Sequence, residues 1–254
     1  MIENIYREFD EIMKLQKQVM KSVGEKYKEL LENVKRNTSE TKYGTQSMYL
    51  GYFCPSLVMD KTVGGFKKGK LQTNIPKNKS GNYVVYDIDS EGKLLRMQDI
   101  NSYGTIIETY IIKEKETEFS VNFSDKKLTI YNGESTRTIF ENGILKRFDI
   151  IGNSSLWSEI YSYNPENIQK IECRKYYYVP DLKGSKKSIP IGIKGSPAQL
   201  YIMDVELDNL NKVINIEHNE LIDGQKVLTF IYKKGSTGFS VERHLNLHEK
   251  RGLR

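Results

Sequence analysis

A chain of 254 residues, 38% hydrophobic and 28% charged, can bury one large β domain or two small ones and is too apolar to be disordered. Its 39 basic and 33 acidic residues interleave to a net charge of +6, which excludes the acidic surface of a nucleic-acid mimic and permits an acidic protein or nucleic acid as partner. Two cysteines, no apolar run of about 18 residues and the charged stretch "MIENIYREFDEIMKLQKQVMKS" argue against a disulfide framework, a transmembrane helix and a secretory signal, so a cytoplasmic protein without membrane attachment is expected.

Residues 1–36 read as one amphipathic helix, because Ile5, Phe9, Ile12, Val19, Val23, Leu30 and Val34 recur at steps built from threes and fours. Gly24 costs about 1 kcal/mol relative to alanine, so a break is expected there. The apolar stripe must be covered. A sheet of the same chain is the expected cover; a coiled-coil dimer is the alternative, although Gln16 interrupts the stripe. Residues 37–82 form a connecting segment. In it "RNTSETKYGTQ" ends the helix with small polar residues, and "MYLGYFCPSLVMD" reads as a buried strand or a short helix followed by a turn. The stretch "KTVGGFKKGKLQTNIPKNKSGN" is a glycine- and lysine-rich loop and the expected domain boundary. Its Lys67, Lys68 and Lys70 are candidate basic contacts, without the spacing of a phosphate-binding loop.

From residue 83 to 245 the text changes. Segments such as "NYVVYDI", "TIIETYII", "ILKRFDII" and "KVLTFIY" are short and rich in β-branched and aromatic residues, and "DSEG", "NSYG", "ENG" and "IDGQ" between them are turn chemistry. Turns of two to five residues join antiparallel neighbours, since a parallel crossover needs about a dozen residues or more. The 17 tyrosines suit half-exposed sheet faces, where the ring packs and the hydroxyl stays wet. A long basic loop with three prolines is expected at 179–199, and a polar tail at 246–254. The expected fold is mainly β: an extended or curved antiparallel meander with an N-terminal amphipathic helix, α+β overall.

One hairpin pattern recurs, beginning at Tyr86 ("YDIDSEGKLLRM"), Phe123 ("FSDKKLTIY"), Phe140 ("FENGILKRF"), Tyr163 ("YNPENIQKIE") and Val205 ("VELDNLNKVINI"). "YDIDSEGKLLRMQDINSYGTIIETY" resembles the tyrosine–aspartate repeats of bacterial Rhs-type polymorphic toxins. "FENGILKRFDIIGNSSLWSEIYSYNPENIQKIE" is similar to the MORN-variant repeats of antitoxin-like bacterial proteins, although "NPEN" stands where a further "ENG" would complete the pattern. The resemblance spans residues 86–172. It implies a β-repeat scaffold in a bacterial conflict system and carries no catalytic residues.

Catalytic motifs are not legible. His244 and His248 would share a face on a helix, but the metalloprotease order is absent, and the better reading is a polar tail with no metal and no cofactor. Cys54 and Cys173 read as buried thiols, with a single disulfide between them as the alternative. Acids such as Asp87, Asp99, Glu108, Glu159 and Asp204 could pair across a sheet, which leaves a hydrolase open. Trp157, Tyr161, Tyr163, Tyr176, Tyr177 and Tyr178 cluster in the sequence and form the candidate partner-binding surface; a cross-strand aromatic ladder is the structural alternative. The expected function is a non-enzymatic protein-binding module, an immunity protein or antitoxin that neutralises a polymorphic toxin by surface contact. A nucleic-acid binder using the basic loop and the tyrosines is a further alternative.

Overall fold

A computed structural model of the chain describes residues 2–45, 52–58, 69–77, 81–104, 106–124, 127–128, 135–152, 155–164, 167–180, 188–190, 200–208, 213–222, 225–234 and 239–245. Two helices lead, α1 (Ile2–Gly24) and α2 (Tyr27–Asn37). The expected break is present: Gly24 ends α1, the Lys26 N–H bonds the Val23 carbonyl at 2.8 Å, and α2 starts at Tyr27. Thr38 closes α2, its N–H and its hydroxyl both bonding the Val34 carbonyl, at 2.9 and 2.7 Å.

The strands are β1 (Glu40–Gly44), β2 (Tyr83–Ile88), β3 (Leu94–Ile100), β4 (Ile106–Glu114), β5 (Thr117–Ser124), β6 (Lys127–Leu128), β7 (Ser135–Glu141), β8 (Ile144–Ile151), β9 (Ser155–Asn164), β10 (Asn167–Pro180), β11 (Ser188–Pro190), β12 (Leu200–Leu207), β13 (Val213–Ile222), β14 (Gln225–Lys234) and β15 (Phe239–Leu245). The fold is mainly β, an antiparallel meander with N-terminal helices, as the sequence leads one to expect.

The chain divides into two compact units, one of residues 11–145 and one of residues 1–10 with 146–254. The division falls inside the meander, not at the glycine- and lysine-rich loop. In the first unit the order is β1-β2-β3-β4-β5-β7, with β6 beside β5. In the second it is β8-β9-β10-β12-β13-β14-β15, with β11 beside β10. β8 follows β7 through the turn Asn142–Gly143, whose φ values of 52° and 77° are those of a tight hairpin turn.

Two segments differ from the sequence reading. Glu40–Gly44, read as part of a helix-ending loop, is a strand paired with β2 from Glu40↔Ile88 to Gly44↔Val84, because a polar edge strand carries little alternation to reveal it. Residues 52–58, read as strand or helix, are turn and bend, with Cys54, Ser56 and Val58 buried. β15 lies within the expected meander and puts His244 on a strand opposite Thr229, so no helix runs through His244. His248 and the rest of 246–254 lie outside the described residues, as do residues 61–68 of the basic loop and most of 179–199.

In the 11–145 unit the helices cover one sheet face. Val19, Met20, Val23 and Val34 pack with Tyr110, Phe119, Val121 and Phe123. From Val19 to Val34 the apolar stripe is thus covered by the chain's own sheet. Gln16 is 2% exposed and donates to the Ser120 carbonyl at 3.2 Å, which accounts for a polar residue within that stripe. The opposite face buries Val84, Tyr86, Ile88 and Met97 beneath Phe53 and Leu71. A bulge at Leu95 serves both faces: Asp87 opposes Arg96 while Ile88 opposes Leu94, so Leu94 packs on the Tyr86 side and Leu95 on the helix side. No helix among the described residues is long and apolar enough to cross a membrane.

Candidate functional site

The candidate aromatics divide by burial. Trp157 and Tyr161 lie on one face of β9 with Glu159 between them, since side chains two apart share a face. Both are buried, and both turn their polar atoms inward. Trp157 Nε1–H donates to Glu159 Oε1 at 2.7 Å, and the Tyr161 hydroxyl donates to Oε2 of the same carboxylate. These two rings are therefore core groups that solvate a buried acid, and they are not exposed anchors. Tyr163 is half-buried with the Lys146 ammonium 4.8 Å over its ring, and burial pushes its hydroxyl pKa up. Tyr176, Tyr177 and Tyr178 lie on β10 opposite Leu156, Ser155 and Pro190; their side chains are outside the described set. Lys67 and Lys68 are likewise outside it, and Lys70 is exposed.

Glu159 stands directly opposite Phe148 on β8 and Cys173 on β10. Cys173 is fully buried and free; burial first, then the nearby carboxylates led by Glu159, push its thiol pKa well up. A thiol so placed is held protonated and is a poor nucleophile. Cys54 is also a buried thiol that forms no disulfide.

The other face of the same sheet is ionic. Arg147 donates through Nε to Asp149 Oδ1 at 2.8 Å and through Nη2 to Ser158 Oγ at 2.6 Å, while Arg174 donates through Nε to Glu172 Oε1 at 2.5 Å. Glu8 of α1 accepts from both arginines. Burial works against the Arg147 charge, and Asp149 and Glu8 outweigh it, so its pKa lies above the ordinary guanidinium value. Glu172 on β10 faces Asp204 on β12, with Lys170 Nζ 2.6 Å from Asp204 and 3.9 Å from Glu172.

The 11–145 unit holds a separate polar network under its helices. Arg96 donates to Asp87 through Nε at 2.8 Å and reaches Glu108 Oε1 through Nη1 at 3.1 Å. Gln98 adds a bond to Glu108 at 3.1 Å, the Tyr27 hydroxyl of α2 another at 2.5 Å, and Thr41 bonds Asp87 at 3.1 Å. Burial, then the bond to Glu108, push the Tyr27 hydroxyl pKa up. The network ties β1, β2, β3, β4 and α2 together. On the opposite face burial raises the Asp99 carboxyl to about 6.

One exposed aromatic escapes the sequence reading. Tyr103 is 92% exposed at the tip of the β3–β4 hairpin. The turn that carries it is held by its own bonds: Tyr103 N–H to Asn101 Oδ1 at 2.9 Å, Gly104 N–H to the Asn101 carbonyl at 3.0 Å, and Ser102 N–H to Asn82 Oδ1 at 2.9 Å. Gly104 takes φ +78°, a conformation that side chains disfavour. Ile106 beside it is also exposed. The signal was present in "NSYG": an aromatic bracketed by turn residues has no sheet face to lie on.

Among the described residues no group of three His, Cys, Asp or Glu side chains is placed to hold a metal ion. No family model matches the chain, and no curated protein matches it significantly.

Proposed function

We propose that the chain is a non-enzymatic protein-binding module of the immunity or antitoxin kind, which neutralises a partner toxin by surface contact. Tyr103 carries the reading: a tyrosine displayed almost wholly to solvent on a pre-bonded turn loses little entropy on contact, the property of an interface anchor. The likeness of residues 86–172 to the hairpin repeats of toxin and antitoxin proteins supports the toxin as partner. The commitment of Asp87, Glu108 and Glu159 to donors within the fold suits a scaffold.

The experiment is co-expression with a candidate polymorphic toxin, sought among the genes that neighbour the chain's own. Protection of the cells and co-purification are expected, both lost in Tyr103→Ala, with the variant's stability within about 0.5 kcal/mol of the parent because the ring touches little. Failure of the parent chain to protect or to co-purify sinks the reading.

A second reading is favoured by one observation. Glu172 and Asp204 face each other across β10 and β12, an arrangement from which a hydrolase could draw an acid and a base. Turnover of a glycoside panel that disappears in both Glu172→Gln and Asp204→Asn would establish it; no turnover by the parent chain rejects it.

A further inference from the structure

Two arginines of the 146–254 unit converge on a single carboxylate. Arg147 lies on β8 and Arg174 on β10, and Ser158 of β9 between them stands opposite both Asp149 and Arg174. Each guanidinium is fixed from the sheet, Arg147 by Asp149 and Ser158, Arg174 by Glu172. Each then turns Nη1 to one place, and Glu8 fills it: Arg147 donates to Oε1, and Arg174 donates to Oε2 at 2.9 Å. A carboxylate gripped at each oxygen by a different arginine is the arrangement of a carboxylate receptor.

The groups that shape this clamp and the group that fills it come from different elements. Asp149, Ser158 and Glu172 lie on strands and keep the arginines in place without Glu8. Glu8 comes from the first turns of α1, which group with this sheet, whereas α1 from Glu11 onward belongs to the other unit and is held there by Val19, Met20 and Val23. Glu8 is also the most exposed of the three, with 33% of its side chain accessible against 15% for Arg147 and 20% for Arg174. When Glu8 leaves, Arg147, Arg174, Asp149 and Glu172 balance in charge, and two guanidinium donors lose their acceptor in a mostly buried place, which another acid can restore.

The structure assigns to Arg147 and Arg174 a binding site for a carboxylate side chain of an acidic peptide, with Glu8 as the internal stand-in that occupies it at rest. A planar group with one charge matches what Glu8 presents; the second charge of a phosphate would face Asp149 and Glu172. A bound peptide would displace the first turns of α1. The clamp deepens the protein-binding reading by giving the partner an acidic segment, and its chemistry is tested without that partner.

The test measures fluorescence anisotropy of a labelled polyglutamate peptide with the full chain at low salt. Glu8→Ala is expected to bind about tenfold or more tightly than the parent, because an internal competitor has been removed. Adding Arg174→Gln to Glu8→Ala is expected to cancel the gain. No gain in Glu8→Ala, or a gain that survives Arg174→Gln, overturns the site, as does inorganic phosphate displacing the peptide better than acetate does. Should Glu8→Ala fail to fold, the parent chain decides: saturating peptide should speed amide hydrogen exchange in residues 2–10, and unchanged exchange there overturns the site. A chain that binds peptide in this Glu8-dependent way yet gives no protection against toxin loses only the immunity reading; protection without peptide binding removes only the clamp.

Discussion

Glu159 and Asp99 are two interior carboxylates with opposite treatment. Glu159 is 0% exposed and is answered by Trp157 and Tyr161, so both of its oxygens are satisfied by hydrogen bonds. Removing one donor should be costly: Tyr161→Phe is expected to destabilise the chain by about 1–3 kcal/mol, checked by denaturant unfolding. Asp99 sits on β3 opposite Val84 and Ile107, and burial alone raises its carboxyl above the ordinary range to about 6. The folded state then holds the proton more tightly than the unfolded state. Asp99 therefore adds stability that is complete below the unfolded carboxylate's pKa and lost as pH rises through about 6. Asp99→Asn should melt above the parent at neutral pH, with the advantage shrinking and vanishing on acidification. A melting temperature versus pH series checks this; a constant offset across the range contradicts it.

Gly44 shows how an element's place depends on one missing atom. A Cβ there would lie 2.9 Å from Cε2 of Tyr86, a ring that is itself buried and packed against Phe53 at 5.5 Å. The ring has little room to yield, so Gly44→Ala is expected to cost about 1–3 kcal/mol by overpacking and to loosen β1 from β2. Hydrogen exchange of the β1 amides reads the second effect. In the sequence Gly44 looks like any glycine after a helix; its contact with Tyr86 depends on its pairing with Val84, 40 positions away. The helices were more legible. Their stripe and the Gly24 break follow from local spacing, and Tyr27, the first residue of α2, also bonds Glu108.

At the scale of the molecule the two compact units each hold buried clusters. Trp157 is the chain's single tryptophan and lies in the 146–254 unit, whereas α2 and most of α1 lie in the other. Two units with their own cores need not unfold together. Tyr161→Phe should therefore lower the unfolding midpoint seen by tryptophan fluorescence more than the one seen by the helical far-ultraviolet circular dichroism. Equal shifts of the two would mean that the units unfold as one cooperative block. The hairpin quasi-repeat runs across this division, since residues 86–172 belong partly to each unit. Repetition in the sequence thus describes how the sheet is made and does not mark where the chain divides.

The sequence by itself determined the mainly β class, the antiparallel meander, the N-terminal amphipathic helix and its break, because periodicity and turn chemistry act between near neighbours. It also held the clue to Tyr103, within the four residues of one turn. Tertiary structure alone decided which aromatics are core and which are surface, that β1 is a strand, and where the units divide. It alone brought Glu8 to two arginines 139 and 166 positions away. Those outcomes depend on register and burial across distant strands, where a shift of one residue sends a side chain to the opposite face, and no local pattern encodes them.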